Sequence, residues 1–359
     1  MARMKRRLRR VFSLALVSLI LGCAYNGPRV DAMLPDRQSA WLDHEVGDSA
    51  SGGIEHLVVF GDSLSDPGNL NRNSFGLLVP DKIFYHGRFS NGPIWADYVE
   101  YALHWKLDNF AVGGARTRPG AFPENLVVTS LPEQIDKNTR YLQTLDTKKT
   151  LISIWIGPNN YLRNGDQYQE ASGKPKMTLL TLAVEQTIAE IESEIYKMQK
   201  LGFNRISIGT MPELGGINRD PKGAAAATDE TLFMATRLHN QKLSQMLERL
   251  GAKNAELKLI KYQAYDINKA TYDNPQAYGF SVLNAPCFVG SVKGQFYGKQ
   301  EFCNDPMGYK FWEYIHPNTR MQCYYATQFL NDIAAGGLID GYSQKHALDR
   351  CLAIKNKQG

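Results

Sequence analysis

The chain has 359 residues, enough for one large domain or two ordinary ones. Its formal charge of +5 suggests a basic protein, but Arg3, Lys5, Arg6, Arg7, Arg9 and Arg10 all precede Cys23 with no acid among them, and setting these six aside takes +5 to −1. A chain so balanced carries no electrostatic footprint for nucleic acid.

In chain order, the first element is a leader. MARMKRRLRR is a cationic head, and VFSLALVSLIL (11–21) is an apolar run. Eleven residues at about 1.5 Å each cover roughly half of a ~30 Å hydrocarbon core, so the run reads as a signal-peptide core and not a membrane span. It ends in ILGC, which resembles a bacterial lipobox, with Cys23 as the lipidated residue of an exported protein. Residues 24–53 are polar, rich in Asp, Ser and Gly, and without a sustained period; they read as a flexible tether.

From Ile54 the pattern changes. LVVF (57–60), LISIWIG (151–157), RISIGTM (205–211) and LKLIKY (257–262) are continuous or nearly continuous apolar runs, as expected of strands buried on both faces. Between the middle two, Leu179, Leu182, Ile188, Ile191, Ile195 and Met198 recur at helical spacing, with Gly202 as a stop. A second helical pattern covers 228–250, and a last helix is expected after Pro317. Strands alternating with helices predict an α/β fold with a mostly parallel sheet between two helical layers, in one domain from 54 to about 340. The remaining 341–359 read as a C-terminal tail tied by Cys351.

With Cys23 set aside, Cys287, Cys303, Cys323 and Cys351 are an even number in an exported chain, and of the three possible pairings 287–303 with 323–351 is expected. No CxxC or HExxH motif occurs and the seven histidines are scattered, so no metal is expected.

Ligands of a parallel sheet bind at the carboxyl ends of its strands. The segments there read GDSLSD after the first run and GPNNY after the second. Ser65 stands where the GxSxG nucleophile elbow needs glycine, so that motif is absent. A serine nucleophile still needs a base, a group that orients the base, and donors for the oxyanion. In WEYIHP, Glu313 precedes His316 by three residues, so a short turn can bring its carboxylate to Nδ1 and leave Nε2 for Ser63. Asn159 in GPNNY and a backbone amide in NFAVGGA (109–115) can donate to an oxyanion. Taken singly these residues have plainer roles, Ser63 as a helix cap and Asp66-Pro67-Gly68-Asn69 as a turn. Their occurrence together favours acyl transfer.

The chain resembles the GDSL, or SGNH, lipase and esterase family, from about Leu57 to Phe329. The resemblance rests on FGDSLSDPGN (60–69), GRFSNGPIWADYV (87–99), NFAVGGA, IWIGPNNY and DPMGYKFWEYIHPNTRMQ (305–322). The branch most similar contains bacterial lysophospholipases and glycerophospholipid:cholesterol acyltransferases. It implies a three-layer α/β/α sandwich of flavodoxin type and no cofactor. It further implies Ser63 as nucleophile, His316 as base, and an oxyanion hole of the Ser63 and Gly114 N–H groups and the Asn159 amide. Gly113 replaces Gly114 if the loop register differs by one. Two positions depart from the family pattern: Glu313 stands for the usual Asp, and Asn160 for the Asp that often ends GxND. Glu313 is therefore the leading orienting group, with Asp305 a distant second.

The resemblance and the leader together imply a phospholipid or lysophospholipid substrate at a membrane surface, in the periplasm, on the outer membrane or outside the cell. The fifteen residues FVGSVKGQFYGKQEF (288–302), with three glycines and four aromatics, suggest a lid or membrane-contact loop open to an activating protease. Two other functions fit the same residues: a short-chain or carbohydrate esterase, and a catalytically silent binding protein of the cell envelope.

Overall fold

The computed structural model describes residues 53–163, 165–217, 229–290, 300–340, 342 and 344–355. The leader with Cys23, the tether up to residue 52, and positions 291–299 of the 288–302 loop lie outside the described residues.

HLVVFG forms β1 (His56–Gly61), buried along its whole length. Side chains alternate across a strand, so Leu57 and Val59 enter one apolar cluster and Val58 and Phe60 another on the opposite face. The chain continues through α1 (Asn69–Asn73) and α2 (Trp95–Leu103) to β2 (Lys106–Asn109). Next come α3 (Leu131–Leu142), β3 (Thr150–Trp155), α4 (Pro158–Leu162), α5 (Met177–Lys200) and β4 (Arg205–Gly209). The last strand of the sheet, β5 (Lys258–Tyr262), lies between α6 (Asp229–Lys253) and α7 (Ala264–Asp273).

These five strands make one parallel sheet in the order β2-β1-β3-β4-β5, with β1 and β3 paired from His56↔Thr150 to Gly61↔Trp155. Helices α3, α5 and α6 cover the Val58/Phe60 face, and α2 and α7 cover the other. This is the expected three-layer sandwich. The strand order reverses direction at β1, so the carboxyl ends of β1 and β3 flank the switch point where ligands of such sheets bind.

α5 ends as the glycine predicts. Gly202 (φ +93°) donates to the Gln199 carbonyl and Phe203 to that of Met198, which is the Schellman closure. At its start the helix differs from expectation: Leu179 and Leu182 stand exposed, while Leu180 and Val184 are buried with Ile188 and Ile191. Counting 3.6 residues per turn back from Ile188 reaches 184 and 180, so the first two leucines lie off the buried stripe.

Outside the main sheet, β6 (Val282–Pro286) pairs with β9 (Tyr309–Phe311), and β7 (Phe288–Val289) with β8 (Glu301–Phe302). Disulfides join Cys287 to Cys303 and Cys323 to Cys351. The second links α8 (Thr319–Ala335), which packs with α2 and α7, to α9 (Gln344–Ala353). The stretch expected as a tail thus carries a helix whose Ala347 and Cys351 are buried in the domain core. Among the described residues, no helix is long and apolar enough to cross a membrane.

Candidate active site

Two residues after β1 ends, Ser63 is buried in a turn closed by the Ser65 N–H on the Asp62 carbonyl, 3.0 Å. Ser65 is itself fully buried, and its hydroxyl accepts from the Trp95 indole at 2.9 Å. A serine occupies the elbow's glycine position because its oxygen has a partner there.

His316 comes from the far end of the chain. Its Nε2 lies 2.6 Å from the Ser63 hydroxyl oxygen. The Glu313 carboxylate meets His316 Nδ1 and also accepts the His316 backbone N–H at 3.1 Å. The extra methylene of Glu is thereby accommodated in a tight turn, in which Trp312 N–H donates to the His316 carbonyl at 2.9 Å. Asp305 lies exposed in a separate turn closed by Gly308 N–H on its carbonyl, and Nδ1 is already occupied by Glu313.

The GRFSNG block braces this turn. The Phe89 ring lies 4.6 Å from the His316 ring, the Ser90 hydroxyl donates to the Pro317 carbonyl at 3.1 Å, and Asn91 Oδ1 accepts the Thr319 N–H at 2.9 Å. Asn318 then caps α8 by accepting from Met321 N–H at 2.9 Å.

The loop that carries Gly113 and Gly114 is held by one carboxylate. Asp66, fully buried, accepts from the N–H groups of Gly68, Asn69, Leu70 and Gly113, the last at 2.7 Å. The Gly113 N–H is therefore engaged. Gly114, next along at φ +82°, has no hydrogen-bond partner for its N–H among the described residues, and any other residue would be strained there. Asn159 enters from the turn after β3; its amide donates one hydrogen to the Ala115 carbonyl at 3.1 Å and keeps a second. Asn160 points elsewhere, into a buried network with Thr117 and Thr187.

Sequence reasoning missed three groups here. Asp66 read as a turn residue, and only its partner 47 positions away marks it otherwise. Asp62 is fully enclosed, and burial pushes its carboxyl up to about 7, against the Leu64 N–H bond and the nearby His316. Lys310, buried beneath the site over the Tyr272 ring, is pushed well below its usual range by desolvation. Asp62, Ser63, Asn159, His316, Leu214 and Ile217 share the lining of a cavity of about 50 Å³. Among the described residues, no three His, Cys, Asp or Glu side chains cluster to hold a metal.

The family model described as GDSL-like Lipase/Acylhydrolase matches residues 57–328. The chain belongs to this family. It is 26% identical to a GDSL esterase/lipase of Arabidopsis thaliana, over 81% of this chain and 92% of that protein. It is 27% identical to a phosphatidylcholine-sterol acyltransferase of Aeromonas hydrophila, over 66% of this chain and 67% of that one. Among solved structures it is similar to an alpha/beta hydrolase from the metagenome of Lake Arreo, Spain, at 14% identity and TM-score 0.43, covering 80% of this chain and 97% of that one.

In GDSL-family terms, the motif that gives the name ends β1, and the other blocks fall around it. A hydroxyl, an imidazole backed by a carboxylate, and amide donors meet at one end of the sheet. That set can take a proton from an alcohol, return it to a leaving group, and stabilise an oxyanion.

Proposed function

We propose that this GDSL-family hydrolase cleaves acyl esters of phospholipids or lysophospholipids by way of an acyl-Ser63 intermediate. The Ser63 oxygen attacks the ester carbonyl while His316 Nε2 takes its proton. Glu313 holds the imidazole through Nδ1–H and balances the imidazolium. The Ser63 and Gly114 N–H groups and the Asn159 amide receive the oxyanion. His316 then protonates the departing alcohol. Water, or a second alcohol such as a sterol, attacks the acyl-serine with the same base, releasing fatty acid or a new ester and restoring Ser63.

The observation that carries the mechanism is the 2.6 Å contact between Ser63 and His316, 253 positions apart in sequence. The lipid substrate is supported by similarity to the phosphatidylcholine-sterol acyltransferase. The leader supports export, with Cys23 the lipidation site of an envelope lipoprotein. A second proposal, a short-chain or carbohydrate esterase, is favoured by the cavity at Ser63. Its volume of about 50 Å³ is on the scale of a small acyl group.

A fluorophosphonate probe should label the protein, and Ser63→Ala should abolish the label; an unlabelled wild type would sink the serine mechanism. Initial rates on esters from acetyl to palmitoyl, and on lysophosphatidylcholine, then separate the two substrates. Turnover confined to acetyl and butyryl esters would overturn the phospholipid proposal and leave the second standing.

A further inference from the structure

α1 ends in an unusual way. Gly76 N–H donates to the Asn71 carbonyl at 2.8 Å and Phe75 N–H to that of Arg72 at 3.2 Å. This is again the Schellman pattern, whose left-handed position glycine normally fills. Here it is filled by Phe75, at φ +54°. The strained residue returns no packing to the fold, for Phe75 is 92% exposed. Leu77, two positions on, is 56% exposed.

The segment 119–127 also presents large apolar side chains to solvent, with Phe122 76% and Leu126 69% exposed. The two segments touch: Asn73 Nδ2 donates to the Val127 carbonyl at 2.9 Å. Val128, the next residue, packs beside Gly114 on the oxyanion side of Ser63. Four large apolar side chains thus stand on two adjoining loops at one flank of the site.

The charge around them is not balanced. Arg116 and Arg163 both reach the single carboxylate of Glu124. Among the described residues, Arg72 bonds the neutral Asn69 amide oxygen and no carboxylate. Among the described residues these three arginines meet one carboxylate, so the rim carries a surplus of positive charge.

We propose that these loops are the surface by which the protein docks onto a phospholipid surface. Phe75, Leu77, Phe122 and Leu126 enter the boundary between headgroups and acyl chains, and the arginines meet phosphates. An apolar tip flanked by surplus positive charge is complementary to that layer, and its place beside the oxyanion loop delivers an ester from the layer to Ser63. The inference rests on the lipid substrate proposed above and names the element that brings the site to it.

Two measurements test it on the purified protein. The first is flotation with vesicles of phosphatidylcholine and phosphatidylglycerol. The second is turnover of monomeric p-nitrophenyl butyrate against micellar lysophosphatidylcholine. The variant Phe75→Ser/Leu77→Ser/Phe122→Ser/Leu126→Ser is expected to bind vesicles at least tenfold more weakly. It should lose micellar turnover to a similar extent and keep butyrate turnover within twofold. Phe75→Gly should raise the melting temperature, by relieving the left-handed strain, while weakening vesicle binding. A melting temperature that falls in Phe75→Gly would show that the ring serves the fold, and the proposal would fail. Unchanged flotation of the fourfold variant also overturns it, as does a dimer that this variant dissociates without affecting vesicles. A wild type that cleaves lysophosphatidylcholine yet never floats refutes the docking surface alone; one that floats but cleaves only butyrate refutes the lipid substrate alone.

Discussion

The two halves of the site are fixed by different forces. On the Ser63 side, polar bonds do the positioning. Asp66 accepts four backbone N–H groups, Asn69 Nδ2 donates to the carbonyls of Asn109 and Ala111, and Asn109 Nδ2 donates to that of Ser65 at 2.7 Å. On the histidine side, apolar contact and a covalent bond join the hydrogen bonds of the turn. Trp312, fully buried, lies 6.3 Å from the Phe288 ring and 5.7 Å from that of Phe302, which flank the Cys287–Cys303 disulfide. The difference follows from position. The Ser63 loop and the loop of Gly113 leave adjoining strands of one sheet, where many backbone groups must find partners. The histidine arrives on a short segment outside that sheet, with few ladder bonds to hold it.

The largest expected effect tests whether the histidine turn depends on its carboxylate as well. Glu313→Gln presents an amide N–H to Nδ1 and favours the wrong imidazole tautomer. It should lower kcat by about 10³–10⁴ with the fold intact, as in other serine hydrolases. A loss under tenfold would mean that packing alone orients His316. Next comes the cost borne by the nucleophile loop. Burial pushes the folded Asp62 carboxyl up to about 7, against 3.8 for a free carboxyl. Between those pH values the folded protein holds a proton that the unfolded chain has lost, so stability falls as pH rises through this window. Asp62→Asn should therefore stabilise the protein above pH ~7, by up to about 4 kcal/mol, and leave it nearly unchanged at pH ~4. Denaturant unfolding at both pH values checks this; an equal shift at both would refute it.

What could be read from the sequence divides along similar lines. β1 and β3 were legible because both their faces are buried, so their residues are apolar without interruption. β2 was not, because KLDN is a short, half-exposed edge strand stabilised by its neighbour more than by its own composition. Helix α3 is not among the elements read from the sequence, although Ser130 and Glu133 spell a capping box, the Ser130 N–H donating to the Glu133 carboxylate at 2.8 Å. Ser63, Glu313 and His316 could be named because each lies in a local motif, and 287–303 because the cysteines are near neighbours. Asp66 and the Phe89 brace could not, since their partners are set by the meeting of distant loops.

The disulfide measures how far covalent closure, as opposed to packing, fixes the histidine side. Its cysteines are 16 positions apart, and Cys287→Ser/Cys303→Ser should cost about 3 kcal/mol of stability on a chain-entropy estimate. Because Trp312 and Phe89 still pack, kcat on a butyrate ester well below the melting temperature should fall only a few-fold. A hundredfold loss there would show that the bond, and not the aromatic contacts, places His316.

The smallest effect expected is on the polar side. Asp66→Asn keeps the shape of the side chain but replaces one oxygen by an amide group, which cannot accept from both N–H groups that the oxygen served. Burial already pushes the Asp66 carboxyl up, while the four N–H donors act to keep it ionised. With that lattice half unmade, the Gly113–Gly114 loop loses its anchor and the Gly114 N–H drifts from the oxyanion position. The expected loss is about 30-fold in kcat, roughly 2 kcal/mol, smaller than deletion of an oxyanion donor outright. A purely structural role would lower the melting temperature and leave kcat of the folded fraction alone. Positioning instead predicts a lower kcat at a KM unchanged within twofold, measured where the variant is fully folded. Combined with loss of the disulfide, the two effects should add, apart from what passes through the apolar cluster that Leu70 and Val112 share with Cys287 and Trp312. Strong coupling between them would erase the division between the polar and the packed side.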